Sequence, residues 1–483
     1  MSDNLKDKAA KGLFWAGLNN GATQILNAVF GIVLARKLNE EDYGLIGMLA
    51  IFTLIANSLQ DSGFVTALIN KKDATHRDYN SVFWFNVCVS LSLYLLFFLC
   101  APLIADFYNE PLLLPLSRYC FFGFFIASFS IVPRAILAKQ IKQKELAIMG
   151  LTSLLVSGTV GIIMAYQGMA YWGLATQTIT FNLCVSILSW VLSGWKPSTK
   201  VSFAPIREMF GFSSKMLITN IVNQVNNNIF AVVLGRFYDK NVVGRYNQAN
   251  KWNTMGASTI TGMVQGVAQP TFVQVGDDPE RLCRAFSKML RFTCFISFPV
   301  MFGLSLISPE FIEALITDKW LRSANLMRIL CIGGAFLPIA TLYFNMIISR
   351  GKSNIYMWNV ICQGIVILCT ILGIQYCGGT VEMMVWSYVG IVIAWIGVWH
   401  YFVWREIGFG FVQAVKDMVP FAAIATVTML VTYTITQSIE NVYVLLMARI
   451  VIAAFIYFVA LWLLGANILK ECLNFLLKKK QPK

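Results

Sequence analysis

Residues 20–44 read NGATQILNAVFGIVLARKLNEEDYG, and residues 220–244 read NIVNQVNNNIFAVVLGRFYDKNVVG. Laid over one another without a gap, they agree at eight of 25 positions: Asn20/Asn220, Gln24/Gln224, Asn27/Asn227, Phe30/Phe230, Val33/Val233, Leu34/Leu234, Arg36/Arg236 and Gly44/Gly244. Ordinary residue usage would give roughly two. The chain therefore carries an internal duplication at an offset of 200 residues. Each copy is an apolar run interrupted by amides.

Outward from these two stretches, apolar runs of about 20 residues, the length that crosses a hydrocarbon core of about 30 Å, recur along almost the whole chain. Of the 483 residues, 57% are hydrophobic and 13% charged, and the mean hydropathy is +0.65. An ordinary soluble domain is about a quarter charged. The bilayer is thus the solvent. Reading apolar runs against charged breaks predicts fourteen membrane helices. The first seven fall at 12–35, 44–64, 81–101, 117–137, 147–165, 173–193 and 213–235. The remainder fall at 248–268, 289–308, 324–348, 355–376, 384–404, 418–437 and 443–465. The connections are too short to hold a soluble catalytic or receptor domain. Any function must sit within the helices.

The duplicated stretches are the first and seventh of these helices. Six spans separate them, an even number, so both face the same way and the halves relate by an axis along the membrane normal. Parallel repeats of this kind mark transporters. The polar N-terminus, Met1 to Lys11, is followed by a run broken by Asn19, Asn20, Gln24 and Asn27, which reads as a first span and not as a cleaved signal.

Charge supplies the orientation. With the N-terminus inside, 27 of the 38 lysines and arginines fall in cytoplasmic segments and 11 in outer ones, so both termini are expected in the cytoplasm. The net charge of +14 follows from this topology. Lys478, Lys479 and Lys480 suit anionic headgroups, and nothing argues for nucleic acid. The eleven cysteines stand singly in apolar surroundings, without a C-x-x-C pair, and His76 and His400 are far apart. Neither a metal site nor a cofactor is expected. No G-x-x-x-x-G-K-[ST] loop is present, so nucleotide hydrolysis within the chain is not expected.

Asn20, Gln24 and Asn27 recur at spacings of four and three, which sets them within about 60° on one helix face. The seventh helix repeats the stripe as Asn220, Gln224 and Asn227 and adds Asn223, Asn226 and Asn228. An unpaired amide in hydrocarbon costs several kcal/mol, so this face cannot meet lipid. Hydrogen bonding between helices would satisfy some amides. So many on one helix favour a hydrated central cavity, and amides suit hydroxyl-rich ligands because each donates and accepts.

Charges near the spans form a second group. Lys215, Arg134 and Lys251 are candidates for holding a phosphate, and Asp61, at the end of the second helix, is a candidate for ion coupling. For Arg36, Arg118, Arg236 and Arg449, snorkelling to the interface is the expectation. Pro299, Pro338 and Pro420 lie within apolar runs and predict kinks. Gly276 to Arg291 reads as an amphipathic cytoplasmic approach to the ninth helix.

Several stretches resemble the polysaccharide transporter family, the Wzx-type flippases of the multidrug/oligosaccharidyl-lipid/polysaccharide superfamily, and within it the colanic-acid-exporter-like branch. They are Lys11-Gly-Leu-Phe-Trp15, Leu34-Ala-Arg36 through Asp42-Tyr-Gly44, Asp61-Ser-Gly63 with Ala67-Leu-Ile69, Val243-Gly-Arg-Tyr246 with Gln248-Ala249, Asp278-Pro-Glu-Arg281 and Lys319-Trp320. Asn39-Glu-Glu-Asp42 departs from the family pattern, which often has a proline before the acidic residue. The resemblance implies an all-α membrane protein with two parallel six-helix lobes around a central cavity, at 1–200 and 201–404. Two C-terminal helices and a basic tail follow at 405–483. It further implies an undecaprenyl-pyrophosphate-linked oligosaccharide as cargo, flipped across the bacterial inner membrane by alternating access for surface polysaccharides such as O-antigen or exopolysaccharide. Polysaccharide polymerases and glycosyltransferases are the implied partners. The alternatives are a drug or peptidoglycan-precursor exporter of the same superfamily and, from another class, a membrane-embedded polymerase or ligase, which would need larger outer loops.

Overall fold

The computed structural model describes residues 2–61, 68, 74–140, 142–199, 204–276, 278–465 and 468. Within its helices, side chains are left undescribed at 2–14, 16, 60–61, 204–205, 207–219, 269–270 and 273. The described residues are overwhelmingly helical and contain no strand. In chain order the helices are α1 (Ser2–Lys37), α2 (Glu40–Asp61), α3 (His76–Tyr108), α4 (Leu113–Lys139), α5 (Gln143–Tyr166), α6 (Ala170–Ser193), α7 (Ala204–Phe237) and α8 (Lys240–Val275). There follow α9 (Pro279–Leu306), α10 (Ser308–Leu315), α11 (Leu321–Gly334), α12 (Leu337–Ser349), α13 (Ser353–Tyr376), α14 (Val381–Ile407), α15 (Phe411–Thr436) and α16 (Val442–Leu463).

Among the described residues, eleven segments are long and apolar enough to cross a membrane, α11 and α12 counting as one. The chain is a multi-pass membrane protein. Three further helices, α1, α7 and α8, are 36, 34 and 36 residues long but fall outside that set. Their amides are what lowers their hydropathy.

Polar caps beyond the hydrocarbon carry the helices past the boundaries that hydropathy predicts. The third helix, expected at 81–101, begins at His76, where Thr75 accepts from the Asp78 amide at 3.4 Å and the Asp78 carboxylate accepts from the Thr75 amide at 2.8 Å. This reciprocal box satisfies two donors that a helix start leaves open. Asp278 caps α9 in the same manner, accepting from Glu280 and Arg281, with Pro279 in the first turn where its missing N–H costs nothing. The expected amphipathic approach is therefore the first half of α9 itself.

A further difference concerns the tenth span. It was expected as one helix over 324–348, but the chain breaks at Ala335 and Phe336 and restarts as α12 with Pro338 in its first turn, because proline cannot continue the preceding ladder. Pro299 and Pro420 do lie inside helices, α9 and α15. The short helix α10 was not expected at all.

The chain divides into two compact units, Met1–Gly244 and Arg245–Lys483. In the first, α6 packs on α4 and α5, α3 on α4, α1 on α5, and α7 on α2 and α3. Phe30, one of the duplicated residues, lies over Gly158 so closely that a Cβ there would meet its ring at 2.6 Å, which is what lets α1 approach α5. In the second unit α9 packs on α15, α11 and α12, α14 on α11, α12 and α13, and α16 on α15 and α10.

Candidate functional site

The amide stripe of α1 stands open. Asn20 is exposed, Gln24 and Asn27 are half-buried, and none of the three makes a hydrogen bond to another described residue. On α7, Asn220, Asn223 and Gln224 are half-buried and Asn227 is exposed. Asn228 is partly satisfied within its own helix, donating to the Gln224 carbonyl at 2.9 Å. Asn223 and Asn226 both have interactions of their own. Among the described residues the stripe of α1 thus makes no hydrogen bond to a neighbouring helix. Beside it Gly17 and Gly21, one turn apart, have open space where a side chain would go.

The structure adds a third polar face that the sequence reading did not include. Along α8, Asn250, Thr254, Ser258, Thr261 and Gln265 recur at four, four, three and four residues, which keeps them within about 80° of one another. Thr254 and Gln265 are exposed, and neither bonds to another described residue. Gly262 and Gly266 lie along the same stretch, again facing open space. The periodicity is as regular as that of α1, but hydroxyls carry it through the middle of the helix. A helical serine or threonine can satisfy itself on its own backbone, as Ser258 does on the Met255 carbonyl at 3.3 Å, so such a face signals a passage less strongly than a row of amides.

The charged candidates divide. Arg134 is exposed on α4 without a partner among the described residues. Lys251, on α8, is half-buried with its Nζ 5.8 Å from the centre of the Trp252 ring, and no carboxylate pairs with it among the described residues. It remains available to an anion. The side chains of Lys215 and Asp61 lie outside the described residues, as do Lys478, Lys479 and Lys480.

Of the arginines expected to snorkel, Arg449 does not. Its side chain is 6% exposed and pairs with Glu310 on α10 at 2.7 Å, while its Nε donates to Thr436 at 3.2 Å and its guanidinium lies 5.3 Å from the Tyr433 ring. A carboxylate and a hydroxyl inside the protein hold the guanidinium, so it has no need of the headgroups. Arg236 donates to the Phe107 carbonyl at 2.7 Å, and Arg118 lies over the Phe98 ring at 4.3 Å. A second buried charge was likewise unforeseen. Asp417 on α15 accepts from Ser287 and from Gln413 at 3.2 Å, and Arg291 stands 3.4 Å away. Among the described residues no cluster of three or more His, Cys, Asp or Glu could hold a metal.

Arg449 also closes one end of an apolar cavity of about 670 Å³ between α8, α9, α10, α15 and α16, walled by Phe295, Pro299, Ile450, Ala454 and Phe458. On α16 the wall runs from Arg449 to Leu461, twelve residues or about 18 Å of helix. That is roughly half a hydrocarbon core.

The model of the family described as "Polysaccharide biosynthesis protein" matches residues 33–325, well over half of the chain. The chain belongs to this family. Among its relatives are the lipopolysaccharide biosynthesis protein WzxC of Escherichia coli (strain K12), 24% identical over 78% of this chain and 77% of that one, and the teichuronic acid biosynthesis protein TuaB of Bacillus subtilis (strain 168), 24% identical over 80% and 81%. The succinoglycan biosynthesis transport protein ExoT of Rhizobium meliloti (strain 1021) is 21% identical over 96% and 95%. In three dimensions the chain matches the lipid II flippase MurJ with a TM-score of 0.73 at 15% identity, over 93% of this chain and 99% of that one. A multidrug transporter of the MATE family, of the MOP superfamily, matches with a TM-score of 0.61 at 16% identity, over 85% and 96%. The fold of this family member is accordingly the one seen in these two transporters.

Proposed function

We propose that this protein carries an undecaprenyl-pyrophosphate-linked oligosaccharide from the cytoplasmic to the periplasmic leaflet of the bacterial inner membrane by alternating access. Membership of a polysaccharide biosynthesis family gives the cargo its class, and the unpaired amides of α1 give it a path. Those amides, on a membrane helix and without hydrogen-bond partners among the described residues, are the observation that carries the reading, because hydrocarbon would penalise each by several kcal/mol and water or sugar hydroxyls would not.

In this reading Asn20, Gln24, Asn27, Asn220, Asn223, Gln224 and Asn227 line the sugar path. Lys251, Arg134 and Lys215 are the residues that would neutralise the pyrophosphate, and Asp61 couples an ion. The apolar cavity beside α16 suits the long hydrocarbon tail, whose burial is worth about 25 cal/mol per Å² only if it meets an apolar wall. Both termini face the cytoplasm, where the basic tail meets anionic lipids and where glycosyltransferases and a polymerase would act beside the carrier.

Deletion tests the reading. A strain lacking the protein should lose its surface polysaccharide and accumulate the lipid-linked oligosaccharide, with both reversed by the restored gene. Normal surface polysaccharide in the deletion strain would contradict the proposal.

A further inference from the structure

At the starts of α2 and α8, the ends that the charge count assigns to the outside, the two copies of the duplicated segment meet each other. A Cβ on Gly44 would fall 1.8 Å from the carbonyl oxygen of Lys240, and a Cβ on Gly244 would fall 1.9 Å from the carbonyl oxygen of Glu40. Such approaches leave room for a hydrogen and nothing larger. Under the offset of 200, Gly44 corresponds to Gly244 and Glu40 to Lys240. The contact is therefore reciprocal, as across a twofold axis, each glycine resting on the residue that begins the other helix.

Around this crossing the chain adds charge and shape. Lys240 Nζ lies 3.3 Å from Glu110 and 3.5 Å from Glu41. Gly235 sits so close to Tyr108 that a Cβ would meet its ring at 2.7 Å, and Arg236 donates to the Phe107 carbonyl at 2.7 Å. Residues 235–244 are thus seated on the start of α2 and the end of α3.

We propose that this reciprocal crossing is a latch that closes the outer end of the passage, with Lys240 as its releasable bolt and separation of 40–44 from 240–244 as its opening. The inference rests on the alternating-access reading above. Two properties suit a closure that must release in every cycle. The Lys240, Glu110 and Glu41 side chains are 21%, 19% and 55% exposed, so water reaches them at once on opening, and partly exposed ion pairs are weak. The glycine crossing supplies a fixed seat, held by close backbone approach rather than by interlocked side chains.

The test uses the full chain with its native cysteines replaced. Glu41→Cys and Lys240→Cys are bridged in intact membranes by a short, reducible bis-methanethiosulfonate linker; export is read in this protein, and a third cysteine at Asn27, added for the labelling arm alone, reports on the passage through an impermeant maleimide applied outside. Before bridging, removal of the bolt should raise outside labelling of Asn27→Cys severalfold over the protein that keeps Glu41 and Lys240. After bridging, outside labelling and polysaccharide export should both fall to background, and reductant should restore both. Continued labelling or continued export by the bridged protein would overturn the latch. An unchanged surface polysaccharide on deletion of the gene would instead overturn the proposed function, and the labelling would then decide the latch alone.

Discussion

Lys240 shows how three distant residues define one site. Burial alone would lower its ammonium, but hydrogen bonding and charge attraction from Glu110, then Glu41, hold it above the usual lysine value. A raised lysine stabilises the contact at every pH below the unfolded value and loses that contribution as pH rises through the raised one. Outside accessibility of the passage should therefore stay flat between about pH 6 and pH 9 and rise only above about pH 10, the ordinary lysine range. Labelling of Asn27→Cys across that range measures it, each rate divided by that of the same cysteine in the unfolded protein at the same pH, because the reactive thiolate grows with pH on its own. Lys251 carries a different expectation, because it has no carboxylate partner among the described residues. If it meets the pyrophosphate, a charge-assisted bond of about 1.5–3 kcal/mol is at stake, or roughly a tenfold loss of loading or more. Lys251→Arg should keep most export and Lys251→Gln should lose it at unchanged abundance in the membrane. At this scale the sequence exposed little beyond the amides. Glu310 and Arg449, or Arg291 and Asp417, sit in different spans, and no spacing rule links residues that only tertiary packing brings together.

The helices were more legible than their partners. The stripes of α1 and α7 announced themselves because the duplication showed the same amides twice, whereas the equally periodic face of α8 had no second copy to mark it. Cysteines at Asn27, Asn227 and Gln265 should react with a water-soluble thiol reagent. One at Leu99, an apolar residue 74% exposed on α3, should not, since that side chain belongs to lipid. Protection at all three amide positions would return the stripes to packing. The helical hairpin of α15 and α16 is joined to the second unit near opposite ends of its length. Asp417 lies in the second turn of α15, close to Arg291 and Ser287 on α9, and Arg449 lies in the third turn of α16, paired to α10. Removing one member of a buried pair costs about 3–5 kcal/mol, while replacing both with apolar residues is often neutral. Glu310→Gln should therefore lower the thermal transition of the detergent-purified protein, and Glu310→Leu with Arg449→Met should recover most of the loss. A double variant as unstable as the single would show that the pair acts through something other than charge.

For the whole molecule, hydropathy was enough to predict a helical membrane protein, and the fold shared with MurJ over 93% of the chain bears that out; the motif stretches carried the resemblance to the polysaccharide transporters, which the family match over residues 33–325 bears out. Length thresholds alone were not enough, since α1, α7 and α8 are too polar to satisfy them. In the proposed reading the polar faces of α1 and α7 line the path of a hydrated, sugar-sized cargo. The break between α11 and α12 lay hidden because an apolar run gives no sign of where a proline will restart a helix rather than bend it. Lipid-linked oligosaccharide extracted from the deletion strain, reconstituted into vesicles with the purified protein, tests the central claim most directly. Exposure of the glycan to an enzyme confined to the outside reports its leaflet. With the protein present, molecules that began in the inner leaflet should become digestible until nearly the whole pool is consumed. Digestion that stops at the outer-leaflet share, as in vesicles without protein, would contradict the account.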